Sequence, residues 1–206
     1  MKIFNNNTYS VTEAIKSRRS IRRFLQKSIS TEEIEQILEL VRLTPSAWNI
    51  QPWHIHVIKD LKLKDQLQKA AYGQKQVTSA PVVFLITSDM EDRMDHLSET
   101  IHPGLNGERR KEELKFLNDL FENMSVEERA QWGLTQANIA LGFLLIAIQG
   151  LGYASNPMLG FDEHKVKKIL NLGDHVRFAA MVPCGHPDTK GYVHHRFVLD
   201  KIATFH

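Results

Sequence analysis

TPSAWNIQPWHIHVI, residues 44–58, takes the chain out of a helix and into a strand, and the fold is read outward from it. Pro45 pushes Thr44 out of the α region, so the preceding helix ends there. That helix carries Ile34, Ile37, Leu38 and Val41 on one face, at i, i+3, i+4 and i+7, behind the capping box Ser30-Thr-Glu-Glu33. Beyond the turn, Trp53, Ile55 and Val57 alternate with His54 and His56, the period of a strand with one covered face. This alternation makes the two histidines outward-facing strand residues rather than metal ligands.

The same signals extend in both directions. Ser10-Val-Thr-Glu13 is a capping box that opens a short helix, and a further helix is predicted from about Leu61 to Tyr72 with Gly73 as its stop. PVVFLIT, Pro81–Thr87, is apolar without alternation, as a strand covered on both faces should be. Residues 90–122 are charged and partly helical, with a break at HPGLNGE. Ser125-Val-Glu-Glu128 caps a long helix, apolar all round by Ile139, that ends at Gly150 or Gly152. Such a helix is expected to be buried on every side, at the centre of a domain or an oligomer. A helix from about Asp162 to Leu172 and a strand RFAAMVPCG follow. Helices and strands interleave without a linker, a repeat or a low-complexity tract. The expectation is one α+β domain over residues 1–206, with 90–122 as a helical insertion that forms a lid over a site.

Composition narrows the function. The 206 residues are 42% apolar and 24% charged, with a formal net charge of only +2, so no global basic field calls for nucleic acid. The N-terminus has no apolar core of a signal peptide. The longest apolar run, Ile139–Ile148, is ten residues, too short by itself for a membrane span. Lone Cys184 suits a reducing compartment, and a cytoplasmic protein is expected; in its apolar strand the thiol is not an activated nucleophile. There is no G-x-G-x-x-G, no P-loop and no Cys/His spacing for zinc.

Positive charge is concentrated locally instead. KSRRSIRRF, residues 16–24, places Arg18, Arg19, Arg22 and Arg23 around Ser20. One reading is a solvated helix end. The other is a phosphate clamp, because guanidinium donors match phosphate oxygens and Ser20 adds a hydroxyl. His194-His195-Arg196 supplies a second basic segment, and if the ends of the chain meet, the two could grip one phosphate. Nucleic acid would require interleaved exposed aromatics or a basic helix face, which this stretch lacks. A small anionic ligand is the better partner.

SRRSIRRF, TPSAWNIQPWHIHVI, NPMLGFD and the basic tail together resemble the nitroreductase family of FMN-dependent NAD(P)H oxidoreductases, in order and spacing over nearly the whole chain. The resemblance implies a central, mostly antiparallel sheet flanked by helices, and an intertwined homodimer with FMN at the subunit interface. It assigns Arg18, Arg19, Ser20 and Arg22 to the phosphate, ribityl chain and pyrimidine edge. Arg23 falls outside the matched positions, as a surface residue or an ion-pair partner. Pro45, Ser46, Ala47 and Asn49 would reach FMN from the other subunit, with Trp53 as packing behind them and Gln51 open between the two roles. Gln74 and Gln76 fall where the family presents side chains to the flavin. Pro157, Met158, Leu159 and Gly160 would lie along the ring, the Gly160 N–H near N5. Arg196 matches a phosphate-binding arginine. His194 stands where lysine or arginine is usual, which weakens the clamp or makes FMN affinity pH-sensitive.

What the resemblance implies chemically is carried by the cofactor rather than by a catalytic side chain. Hydride from NADH or NADPH would pass through flavin N5 to a nitroaromatic, quinone or related acceptor in a ping-pong cycle. Phe121 and Trp132 are candidate pocket walls or simple core, and Arg93, Arg109 and Arg110 are candidate partners for a 2′-phosphate. No metal and no membrane partner is implied. A flavin-binding protein without turnover and a small nucleic-acid module stay open beside this reading.

Overall fold

The computed structural model describes residues 8–206. Four strands, β1 (Trp53–Ile58), β2 (Val82–Ser88), β3 (Ala154–Ser155) and β4 (Arg177–Gly185), form one antiparallel sheet in the order β1-β2-β4-β3. β2 is buried along its whole length. Its residues Val82, Phe84 and Ile86 face α8 (Val126–Gly150) and α2 (Thr31–Arg42), meeting Ala137, Ala140, Leu144, Ile34 and Ile37. Val83 and Leu85 face the other way, toward Leu67 of α3 (Leu61–Ala70) and Val166 of α9 (Glu163–Leu170). A strand with helices on both sides has no polar face, hence the unbroken apolar run. Burying each large side chain contributes roughly 1.5–3 kcal/mol.

Local signals set the helix starts. Ser10, Ser30 and Ser125 each accept the N3 backbone N–H while the N3 glutamate reaches back, at α1 (Val11–Ser17), α2 and α8. The insertion becomes α5 (Met90–Asp95), α6 (Leu97–Thr100) and α7 (Gly107–Glu122), which share a core of Met90, Leu97, Ile101, Leu117 and Phe121 with Ile50.

Two expectations are corrected. Along α8 only one side is covered: Ala130, Gly133, Ala137, Ala140 and Leu144 pack inward. Ile139 and Phe143 are exposed and, with Val11, Ile15, Leu40 and Leu43, line an open apolar groove of about 890 Å³. By length and composition α8 could cross a membrane, but its inner face belongs to the central core. On β1, His56 is not outward-facing: it is half-buried with Nε2 3.3 Å from the Thr87 hydroxyl. Burial, and then the neighbouring His54, push its pKa down to about 4. Val57 is exposed instead, while Ile58 enters the core between the sheet and α3.

Candidate functional site

Residues 18–24 run extended, bridging at Ser20 to Ser155 and at Phe24 to Pro187. The Ile21 N–H donates to the Ser155 carbonyl at 3.0 Å. In an extended segment successive side chains point opposite ways. Arg19, Ile21 and Arg23 turn toward the loop 187–191: Arg19 and Ile21 line a cavity of about 410 Å³ with Asp188 and Lys190, and Arg23 pairs with Asp188 at 3.3 Å. A side chain at Gly191 would press within 2.9 Å of both Arg19 and Ile21. Arg18 and Ser20 fall on the opposite face, and Arg22 is exposed.

Arg18 is the electrostatic focus. Its Nη1 is buried and has no hydrogen-bond partner. Burial first, then the charges of Arg196 and Arg19, hold its guanidinium below the usual arginine pKa. A buried donor left unmatched beside two like charges is unfavourable unless an anion completes it. The Ser155 hydroxyl is buried and unpartnered as well. The tail closes the cluster, with His194 Nε2 2.6 Å from the Arg18 carbonyl and 3.0 Å from Arg19 Nη1.

The segment from Ser155 to Gly160 leads from this cluster to a second group of polar side chains. Asn156 and Met158 are pinned to β4 through the Pro183 and Met181 carbonyls. Gln74 donates to the Gly160 carbonyl at 2.7 Å, and Gln76, at the start of α4 (Gln76–Ser79), donates to Gln74 at 2.8 Å and lies 3.8 Å from the Met158 sulfur. Leu159 is exposed, and the Gly160 N–H has no partner among the described residues. Gln74, Gln76, Met158 and Gly160 thus form one group, and Arg18, Arg19, His194 and Arg196 another.

Pro45, Ser46, Ala47 and Asn49 share no hydrogen bond with either group among the described residues. Their loop contains three non-glycine residues in the left-handed region, Trp48 (φ 48°), Asn49 (φ 57°) and Gln51 (φ 47°). Such a run persists only where surrounding bonds over-determine it. The Gln51 N–H donates to the Ser46 hydroxyl at 3.0 Å, and the Asn49 amide donates to the Thr100 carbonyl at 2.9 Å and accepts from the Gln51 side chain. The Ala47 N–H donates to Gln136 Oε1 at 3.0 Å. Trp53 packs against the central core.

Sequence reasoning did not single out Trp48, Ser155 or Gln136. The Trp48 indole is 44% exposed, stacks on Trp132 at 6.2 Å and meets Phe116 edge-on at 5.8 Å. An aromatic residue in a polar turn was a usable signal for it. Phe121 is fully buried and is core rather than wall.

The chain belongs to the nitroreductase family, a family of oxidoreductases, whose model matches residues 15–186. It is 42% identical over 192 residues to an NADH dehydrogenase of Thermus thermophilus, covering 93% of each chain. Among solved structures it resembles a protein of Exiguobacterium sibiricum in complex with FMN, with a TM-score of 0.87 and 25% identity over 98% of this chain and all of that one. It also resembles a nitroreductase family protein of Streptococcus pneumoniae, with a TM-score of 0.85 and 27% identity over 96% of this chain and all of the other.

Proposed function

We propose that this protein is an FMN-dependent NAD(P)H oxidoreductase that works as a homodimer and passes electrons to nitroaromatic, quinone or related acceptors by a ping-pong cycle. The observation that carries the reading is Arg18: a guanidinium whose buried Nη1 is unmatched, beside Arg196 and Arg19, where a phosphate supplies the missing acceptor. FMN bound there would supply the two-electron transfer chemistry that no side chain of the chain provides.

The chain's own residues bind and orient. Arg18, Ser20 and Arg196 hold the phosphate end, with Arg22 reaching the cofactor from the exposed side. The Gly160 N–H and the amides of Gln74 and Gln76 hold the ring end. Pro157, Met158 and Leu159 cover the ring, and the absence of a side chain at Gly160 lets backbone approach closely. Arg19 acts behind Arg18, through His194.

Pro45, Ser46, Ala47 and Asn49 contribute from a second copy. What supports a dimer is the exposed apolar groove along α8 together with a tail that exposes Tyr192, Phe197, Ile202 and Phe205. The insertion, α5–α7, serves as a lid, with Trp48, Trp132 and Phe116 as the aromatic edge nearest the loop.

An anaerobic absorbance spectrum of the purified protein tests this, taken before and after NADH and then NADPH. Flavin bands that bleach on addition are the expected result and reveal the preferred donor. Bands that persist after both would leave a flavin-binding protein without turnover. No bands after soaking in FMN would sink the assignment of the Arg18 cradle.

A further inference from the structure

The loop 45–51 poses a mechanical problem. Three left-handed non-glycine residues cost of order 1–3 kcal/mol each, and nothing within the loop offsets all of that. Its internal backbone bonds, Asn49 N–H to the Ser46 carbonyl and Ile50 N–H to the Ala47 carbonyl, close a single 3₁₀ turn. Among the described residues, two hydrogen bonds tie it to the rest of the chain. One runs from Asn49 to Thr100 in the insertion, and the other from the Ala47 N–H to Gln136 in the middle of α8. They differ in footing. α8 is anchored in the central core through Ala137 and Ala140, buried residues one and four positions beyond Gln136. Thr100 closes a four-residue helix in the insertion.

Gln136 is also oriented for this task. Its Nε2 donates to the Thr135 hydroxyl at 3.0 Å, which leaves Oε1 to accept the Ala47 N–H. The hydroxyl in turn donates to the Trp132 carbonyl, and Trp132 is the residue on which Trp48 stacks. One short stretch of α8, Trp132 to Gln136, thus grips the loop twice: by a hydrogen bond at Ala47 and by an aromatic face at Trp48.

We propose that Gln136 is a positioning residue for the cofactor: Oε1, by holding the Ala47 N–H, fixes the left-handed loop in the form that receives the flavin from a second copy. It touches neither cofactor nor substrate. The inference rests on the loop's role in the proposed function, yet the hold itself is a property of the apo chain. Losing one backbone-to-side-chain bond weakens FMN binding by about fivefold to tenfold. Only an acceptor oxygen is needed at this position, so glutamate serves where methionine does not.

The test compares the wild type, Gln136→Met and Gln136→Glu in two measurements. Hydrogen exchange on the apo proteins reads the loop directly, and FMN titration by flavin fluorescence reads the consequence. Gln136→Met should accelerate exchange in the peptide covering 44–52, leave exchange in α8 unchanged and raise the FMN Kd about fivefold to tenfold. Gln136→Glu should stay within about twofold of the wild type in both. Unchanged exchange in Gln136→Met overturns the inference whatever the flavin does. So does a Gln136→Glu variant as loose as Gln136→Met. Faster exchange with an unaltered Kd overturns the link between loop and cofactor. Failure of the wild type to bind FMN strikes the proposed function instead, while the exchange comparison still decides whether Gln136 holds the loop.

Discussion

His194 Nε2 lies 2.6 Å from the backbone carbonyl of Arg18, joining two parts of the chain 176 positions apart. A carbonyl only accepts, so Nε2 carries the hydrogen of this contact. Arg19 Nη1 lies against the same ring, 3.0 Å from Nε2 and 3.4 Å from Nδ1. The imidazole thus seats the tail against the arginine segment, with Arg196 close enough for its charge to act on Arg18. The cationic cradle exists only because both ends of the sequence converge.

The proposed function makes Arg18 a residue that serves a ligand rather than the fold. Arg18→Met keeps the length of the side chain and removes the unmatched buried charge. FMN affinity should fall by at least tenfold, the loss of one charge-assisted contact of roughly 1.5–3 kcal/mol. The melting temperature of the apo protein should stay level or rise slightly, since a desolvated cation has been removed. Fluorescence titration and thermal unfolding of the apo protein check the pair. A large fall in apo stability with FMN retained would reverse the assignment.

Phe143 lies on the uncovered side of α8, 41% exposed. A charge there would have to be buried without a partner if a second copy covers the groove. Sedimentation velocity should find the wild type dimeric and Phe143→Glu monomeric, with far-UV circular dichroism unchanged. A monomeric wild type would contradict the proposed homodimer.

His56 gives stability a pH dependence whose sign is fixed. Its folded pKa is about 4 against an ordinary 6.5, so the folded state resists its protonation. Its contribution is complete above the unfolded value and is lost as pH falls from 6.5 toward 4. A gap of that size corresponds to at most about 3 kcal/mol. The ring is partly exposed, so about 1–2 kcal/mol is the expected loss. Urea midpoints at pH 7 and near pH 4.5 should converge in His56→Gln relative to the wild type. An identical slope in both would assign the acid sensitivity elsewhere.

Gly133 sets two effects against each other. Within a helix, alanine is favoured over glycine by about 1 kcal/mol. Here a Cβ would stand 2.5 Å from Met90 Cγ and 2.5 Å from Ser88 Oγ, both buried where α8 crosses the end of β2. Overpacking of this kind costs about 1–3 kcal/mol and should win. Gly133→Ala should therefore lower the melting temperature by a few degrees. A rise would mean that Met90 swings aside freely.

Helix starts were legible because a capping box is local: Ser and Glu three positions apart satisfy each other whatever the rest of the chain does. β2 was legible because burial on both faces removes the polar alternation. The arginine segment and NPMLGFD were legible as composition. The opposed facing of Arg18 and Arg19 was not, since it follows from the bridges of Ser20 and Phe24 to residues 135 and 163 positions away. His56 was misjudged because period-2 alternation marks two faces but not whether the second is also covered.

By itself, then, the sequence determined the caps, the sheet's central strand and the concentration of charge at residues 18–23, all consequences of short-range stereochemistry and side-chain polarity. Only the tertiary structure decided which guanidinium is left unmatched, that α8 keeps one apolar side open, and that Gln136 and Thr100 hold the loop at Ala47 and Asn49. Each of these depends on contacts 51 or more residues apart, whose partners are chosen by packing of the whole core and leave no periodic trace in the chain.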